Sequence, residues 1–551
     1  MNVKSLISFL LLLAVSIPAA FSQTPVQDTV QIINIIHADR LGFSKKDTAN
    51  PIQYGAGNVQ AQQKTTLFNA DSAVINQRTK IFEGFGNVHI NEGDTTHTYS
   101  QYLRHHFDTK KAVLQRKVML TNGKTILTTE QLDYDMNARV GIYTNGGKIV
   151  NGSTTLTSKE GIYYDDYKDV IFRKNVVLID PKYKLYADSL LYNTKTEIAT
   201  FIGPTRIVDS SNREIITSEG FYDTRNKIAQ FGRGSQIRDK NTFLQADDIF
   251  ANDQTGERIA RGNAIYVDTA QGITIRAGQL KEDGRTEIMT ATLKPVMIIK
   301  QDEDSIYVTA DTILSGRLMP DTSESGNQKA ERDTAKSREQ KSGTDSVVVL
   351  NVSSVNKNDS ASRYLLAYHN VKIFSDSLQA LSDSLYYSGV DSIFRLFYDP
   401  VIWASGSQIT GDTIFLFTKN KKADRLYVFD KALVVNKAGP DMYNQIQGNT
   451  LNGYFNEGVI DYMRARGNAE SIYYVKDEDS AFIGVNRSTA DIIDMRFKDK
   501  QLNKVVYISD VKGTTNPFRQ VNFSEMRLRN FQWLENKRPK TKFEVLGGSS
   551  E

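Results

Sequence analysis

The chain has 551 residues, a formal net charge of +4, no cysteine and only two tryptophans. Without cysteine there is no disulfide framework, no thiolate metal site and no acylation site of the lipoprotein kind. The small net charge, with no concentrated basic face, argues against a nucleic-acid binder. Stability has to come from burial and strand pairing.

The chain opens on Lys4 and an apolar run from Leu6 to Val15, followed by Pro18 and the small-residue exit Ala20-Phe-Ser22. This pattern predicts a secretory signal peptide over 1–22, cut before Gln23. No other stretch approaches the ~20 apolar residues of a spanning helix. The mature chain is therefore expected to have no transmembrane span.

From there on one pattern recurs: a large apolar residue, a spacer, a small residue, an acidic anchor, a spacer and a second apolar residue, as in Leu185-Tyr-Ala-Asp-Ser-Leu190. The anchor positions Asp71, Ser100, Glu130, Lys159, Asp188, Ser218, Asp247 and Gly278 stand 29, 30, 29, 29, 30, 29 and 31 residues apart. Asp39 precedes this run, and Asp311, Asp383, Asp412, Asn449 and Asp491 follow it. Such a near-constant period is the mark of a stacked array, in which each unit covers the apolar face of the next.

Three positions before the anchors stand Ile36, Phe68, Leu127, Leu156, Leu185, Ile215, Leu244 and Ile275, which predicts one buried column. Two positions after them stand Leu41, Leu132, Leu190, Ile249 and Leu280. These offsets differ by an odd number, so the pleat changes parity at the anchor, as a β-bulge or corner makes it. About half a period later come Gly57-Asn-Val59, Gly86-Asn-Val88, Gly262-Asn-Ala264 and Gly467-Asn-Ala469. Glycine and asparagine tolerate positive φ, so these read as bulges or turns opening a strand. No window keeps helical periodicity beyond a turn or two, so the predicted class is all-β, with strand, turn, strand, bend and strand in each unit.

The period breaks between Asp311 and Asp383, where residues 316–362 are polar and nearly free of aromatics, which predicts a disordered insert. The domain reading is a signal peptide 1–22, repeat blocks 30–315 and 363–515 around that insert, and a tail 516–551. The tail, with Trp533 and a basic run from Lys537 to Lys542, follows no repeat register. It is expected to cap the open sheet edge or dock a partner.

The small-Asp-x-apolar-x-Tyr step, with Gly-Asn-Val half a period away behind a signal peptide, resembles the OstA-like proteins, lipopolysaccharide-transport components of the periplasm and outer membrane. The resemblance covers about Ile32 to Phe518. It implies an elongated β-jellyroll with a groove between two antiparallel sheets, in which lipid A acyl chains travel while the sugars stay in water. It also implies a periplasmic location, lipopolysaccharide as ligand, and edge-to-edge joining to other jellyroll components of the transport system. The groove candidates are Leu127, Leu156, Leu185, Ile215, Leu244 and Ile275.

No catalytic constellation, cofactor motif or metal site stands out. Four of the six histidines, His89, His97, His105 and His106, fall close together, but no carboxylate or thiol spacing supports ligation. Two rivals to a lipid carrier are a structural or adhesin-like stalk with a filled core and a β-helix enzyme acting on polysaccharide. The second would cluster its acids on one or two rungs, whereas here they recur along the whole chain.

Overall fold

The computed structural model describes residues 32–44, 52–91, 96–300, 305–317, 363–419, 422–498 and 501–547. The predicted signal peptide and most of the predicted insert lie outside these. Almost every described element is a β-strand; the exceptions are two single 3₁₀ turns and one short helix, Lys542–Leu546. All the described pairings are antiparallel. The chain divides into two compact units, one ending at Asn145 and one starting at Gly146.

The strand Tyr183–Asn193 shows how a repeat is made. Its first half, 183–187, pairs with 176–180 and 205–209. Its second half, 189–193, pairs with 169–173 and 198–201. Asp188 lies between the halves, opposite the two bulged residues Lys174 and Asn175. Each long strand thus starts in one layer and ends in another, turning a corner at its anchor or, in the strand beside it, at the bulge opposite the anchor. We call the half before the anchor layer 1 and the half after it layer 2. The predicted change of parity is this corner.

The two sequence signatures are the two faces of one seam. Asn58 donates to Asp39 at 3.1 Å, Asn87 to Asp71 at 3.0 Å, Asn263 to Asp247 at 2.8 Å and Asn370 to Asp311 at 2.8 Å. The anchor carboxylate of one repeat accepts from the Gly-Asn bulge of the strand beside it. Gly262 and Asn263 have φ of 72° and 45°. A methyl on Gly262 would stand 2.6 Å from Asp247 Oδ2, so glycine is required there for space as well as for φ.

The first repeat departs from the expected column. Ile36 is 53% exposed, because the pairing slips between Ile35 and His37, and Ile33 takes the inward place instead. Leu41 is exposed as well.

Arg317 and Arg363, which bracket residues 318–362, lie directly opposite one another in a strand pair. The two ends of that segment are therefore already at hairpin distance. Replacing 318–362 with a short Gly-containing turn is expected to keep the melting temperature or raise it, since closing a shorter loop lowers the entropic cost by about 2 kcal/mol. A marked fall in melting temperature would show that the segment packs.

Candidate functional site

The space between the layers is lined by two apolar columns. In layer 1 of the first unit Phe68 and Leu127 are buried, and in the second unit Leu156, Leu185, Ile215 and Ile275 are. Leu132 in the first unit, and Leu190, Ile249 and Leu280 in the second, face them from layer 2, also buried. Phe68 meets layer 2 directly, with its ring centroid 5.5 Å from Phe82 and 5.1 Å from His105. Leu244 is the exception among the six groove candidates, being only half-buried.

On one side the layers are joined by the bulge seam. On the other side, the mouth, the turns of layer 1 (181–182, 210–213) stand across from those of layer 2 (165–168, 194–197, 224–227). Polar side chains close this mouth. In the first unit Gln63, at the end of a layer 1 strand, donates to the Phe107 carbonyl at 2.8 Å, and its Oε1 lies 2.9 Å from His105 Nε2. In the second unit Asn151 donates to Tyr192 Oη and to the Thr194 carbonyl. Tyr183 packs edge-on against Tyr222 at 4.8 Å, and Tyr222 donates to Asp253. Burial raises both phenol pKa values, so these rings close the mouth as neutral groups. The tyrosine that ends the small-Asp-x-apolar-x-Tyr step, as Tyr192 shows, therefore belongs to the mouth.

In the second unit the mouth has an opening. A cavity of about 380 Å³ lies between the turns, within the ~300–1,000 Å³ usual for small-molecule sites. Its walls are Ile237, Leu244, Ala260, Leu280 and Met289, and its rim carries Arg213, Arg258, Arg317 and Arg363 together with the carboxylates Asp239, Glu282 and Glu287. Arg213 pairs with Asp209, Arg258 with Glu282 and Arg317 with Glu287. An apolar floor under a rim of mixed charge, with arginine in slight excess, suits an amphiphile: methylenes gain from burial, and an anionic head meets guanidinium donors at the edge.

The histidines do not form one group. His89 Nε2 lies 3.1 Å from His97 Nδ1, with the His89 ring stacked on Tyr99, whereas His105 is buried against Phe68 and Gln63. Burial, and then His97, lower the His89 pKa. Among the described residues no three His, Asp or Glu side chains converge as metal ligands. Of the basic run in the tail, Arg538 is tied to Gln379 Oε1 by two hydrogen bonds.

Among the described residues no helix is long and apolar enough to cross a membrane. The molecule is thus an antiparallel β-repeat whose two layers share an apolar interior, hinged at a seam of bulges and closed by a polar mouth. The family model for OstA-like protein matches residues 30–188 and 175–247. Over residues 30–247 the chain is similar to the OstA-like family. No curated protein matches the chain.

Sequence reasoning found the bulges and the columns but missed the mouth. Gln63, Asn151 and Arg213 each stand alone in the sequence, and their partners, 41 to 44 residues away for Gln63 and Asn151, are set by which turns face across the interior.

Proposed function

We propose that the chain is a periplasmic carrier that takes the acyl chains of lipopolysaccharide between its layers and passes them toward the outer membrane, joined edge to edge to other jellyroll components. The supporting observation is the cavity beside Leu244, where the apolar interior reaches the mouth under a rim of four arginines and three carboxylates. The likeness of residues 30–247 to the OstA-like family points the same way. Each methylene moved out of water gains ~0.8 kcal/mol, so a continuous apolar column holds several acyl chains without any buried charge. The periplasmic location rests on the signal-peptide pattern of residues 1–22. In this reading the protein is a carrier, and catalysis has no part in it.

A photoreactive residue placed at Leu244, Leu185 or Ile215 in living cells is expected to crosslink to lipopolysaccharide, with Leu244 strongest because it is already partly open. The same probe at Lys195, on a layer 2 turn, should give none. Well-folded protein giving no more adduct at the three inner positions than at Lys195 would refute the carrier reading and favour a stalk with a filled core.

A further inference from the structure

We propose that the segment from Phe518 to Leu546 is a strap that stiffens the outer face of layer 1 in the repeats between Ser305 and Pro517, and that it thereby keeps their interior closed to acyl chains. The closure half of this statement rests on the carrier reading; the stiffening half does not.

The position four residues before each anchor points away from the interior. It holds Lys184 and Ile126 in earlier repeats, both exposed. In three successive later repeats the same position is Gln379, Gln408 and Gln445, only 5%, 0% and 0% exposed. What covers them is the tail. Gln445 donates to the Met526 carbonyl at 2.9 Å and accepts from the Leu528 amide at 2.8 Å. Gln408 does the same with the Gln532 carbonyl and the Leu534 amide, both at 2.7 Å. Gln379 accepts from the Arg538 guanidinium at 2.6 and 2.8 Å. A primary amide offers a donor and an acceptor side by side, so each of the last two glutamines in this row satisfies two main-chain groups that would otherwise be left unpaired.

Between these ties the contact is apolar. Leu528 is buried among Val435, Tyr443, Ile472, Tyr474 and Val485, and Phe518, Phe523, Met526, Phe531 and Trp533 pack around it. Layer 1 is therefore covered on both faces here, by layer 2 inside and by the strap outside. The tail caps a sheet face, whereas the sequence suggested the sheet edge.

The ties have a mechanical consequence. Packed layers lie ~10 Å apart and are full, so an acyl chain enters only if one layer moves outward. Because the layers share every long strand through the seam, the accessible motion is outward bowing, which changes the spacing of neighbouring strands. The strap crosses those strands and is tied on alternate strands of layer 1, at Gln379, Gln408 and Gln445, so it opposes that motion. The repeats from Thr154 to Ala277, with the cavity beside Leu244, have no such covering among the described residues.

The test compares the mature chain with a Gln408→Ala/Gln445→Ala variant and with a chain ending at Pro517, by hydrogen exchange and by crosslinking to a photoreactive fatty acid. Amides of the strands Ser407–Thr410 and Met442–Asn456 are expected to exchange roughly tenfold faster in both variants, with no change over Tyr183–Asn193. A photoreactive residue at Ile409, an inward neighbour of Gln408, should capture fatty acid only in the variants, whereas Leu244 captures it in all three chains. Unchanged exchange in both variants overturns the strap. Capture at Ile409 in the unaltered chain overturns closure, even if exchange responds as expected. Absence of capture at Leu244 in every chain counts against the carrier reading, and exchange then still decides the stiffening. If the shortened chain does not fold, the double variant decides alone, because its substitutions lie under the strap on the outer face and leave the apolar columns between the layers intact.

Discussion

Leu185→Asp is expected to unfold the second unit at ordinary temperature, whereas Lys184→Asp on the same strand is expected to change stability by no more than ~0.5 kcal/mol. Leu185 is fully buried in layer 1, paired with Leu178 on one side and Ile207 on the other. Removing its side chain alone costs about 2–5 kcal/mol. Burying a carboxylate without a partner adds several more, or forces it to take up a proton. The sum is comparable with the whole stability of a domain, about 5–15 kcal/mol. Thermal or denaturant melting of purified protein checks this, and a folded Leu185→Asp protein with near-normal stability would show that the layers at this repeat already admit water. For the same reason a polar substitution at Leu185 is a poor test of lipid capture, and Leu244, beside the cavity, is a better place to probe it.

Lowering the pH from 7 to 4.5 is expected to destabilise the first unit by about 2.5 kcal/mol through His105 alone. Its pKa falls from 6.5 to about 4, mainly because burial penalises the charged ring. The folded state thus binds the proton less readily than the unfolded chain. Between pH 6.5 and about 4 the unfolded chain carries more protons, so stability rises with pH across that window. The contribution is whole above pH 6.5 and is lost as the pH falls through 4. His105→Gln should flatten the response, since a glutamine keeps a polar partner for Gln63 without titrating. Denaturant melts of the two proteins at pH 7 and 4.5 measure the difference. If both lose the same stability on acidification, the acid sensitivity lies elsewhere.

Chain chemistry alone set the repeat. The period, the inward columns and the all-β class follow from residues whose neighbours along the chain dictate their place: an apolar residue every 29 to 31 positions, a small residue before the anchor, and Gly-Asn where φ must be positive. The anchor and its bulge are legible because each repeats along the chain. That Asp71 accepts from Asn87, making the two signatures one seam, was not legible, since it depends on which strand lies beside which.

The mouth and the strap were decided by tertiary structure. Gln63 with His105, Asn151 with Tyr192, and the ties of Gln379, Gln408 and Gln445 to the tail join residues 41 to 159 positions apart, and even where the glutamines recur from repeat to repeat their partners do not. Local propensity cannot encode such pairs. They become necessary only after the layers form and leave particular amides and rings without water. Three successive glutamines at one outward position were the visible trace of the strap, and it took the folded sheet to show that this face is covered. Repetition is written along the chain, whereas coverage of a face depends on what the rest of the chain brings to it.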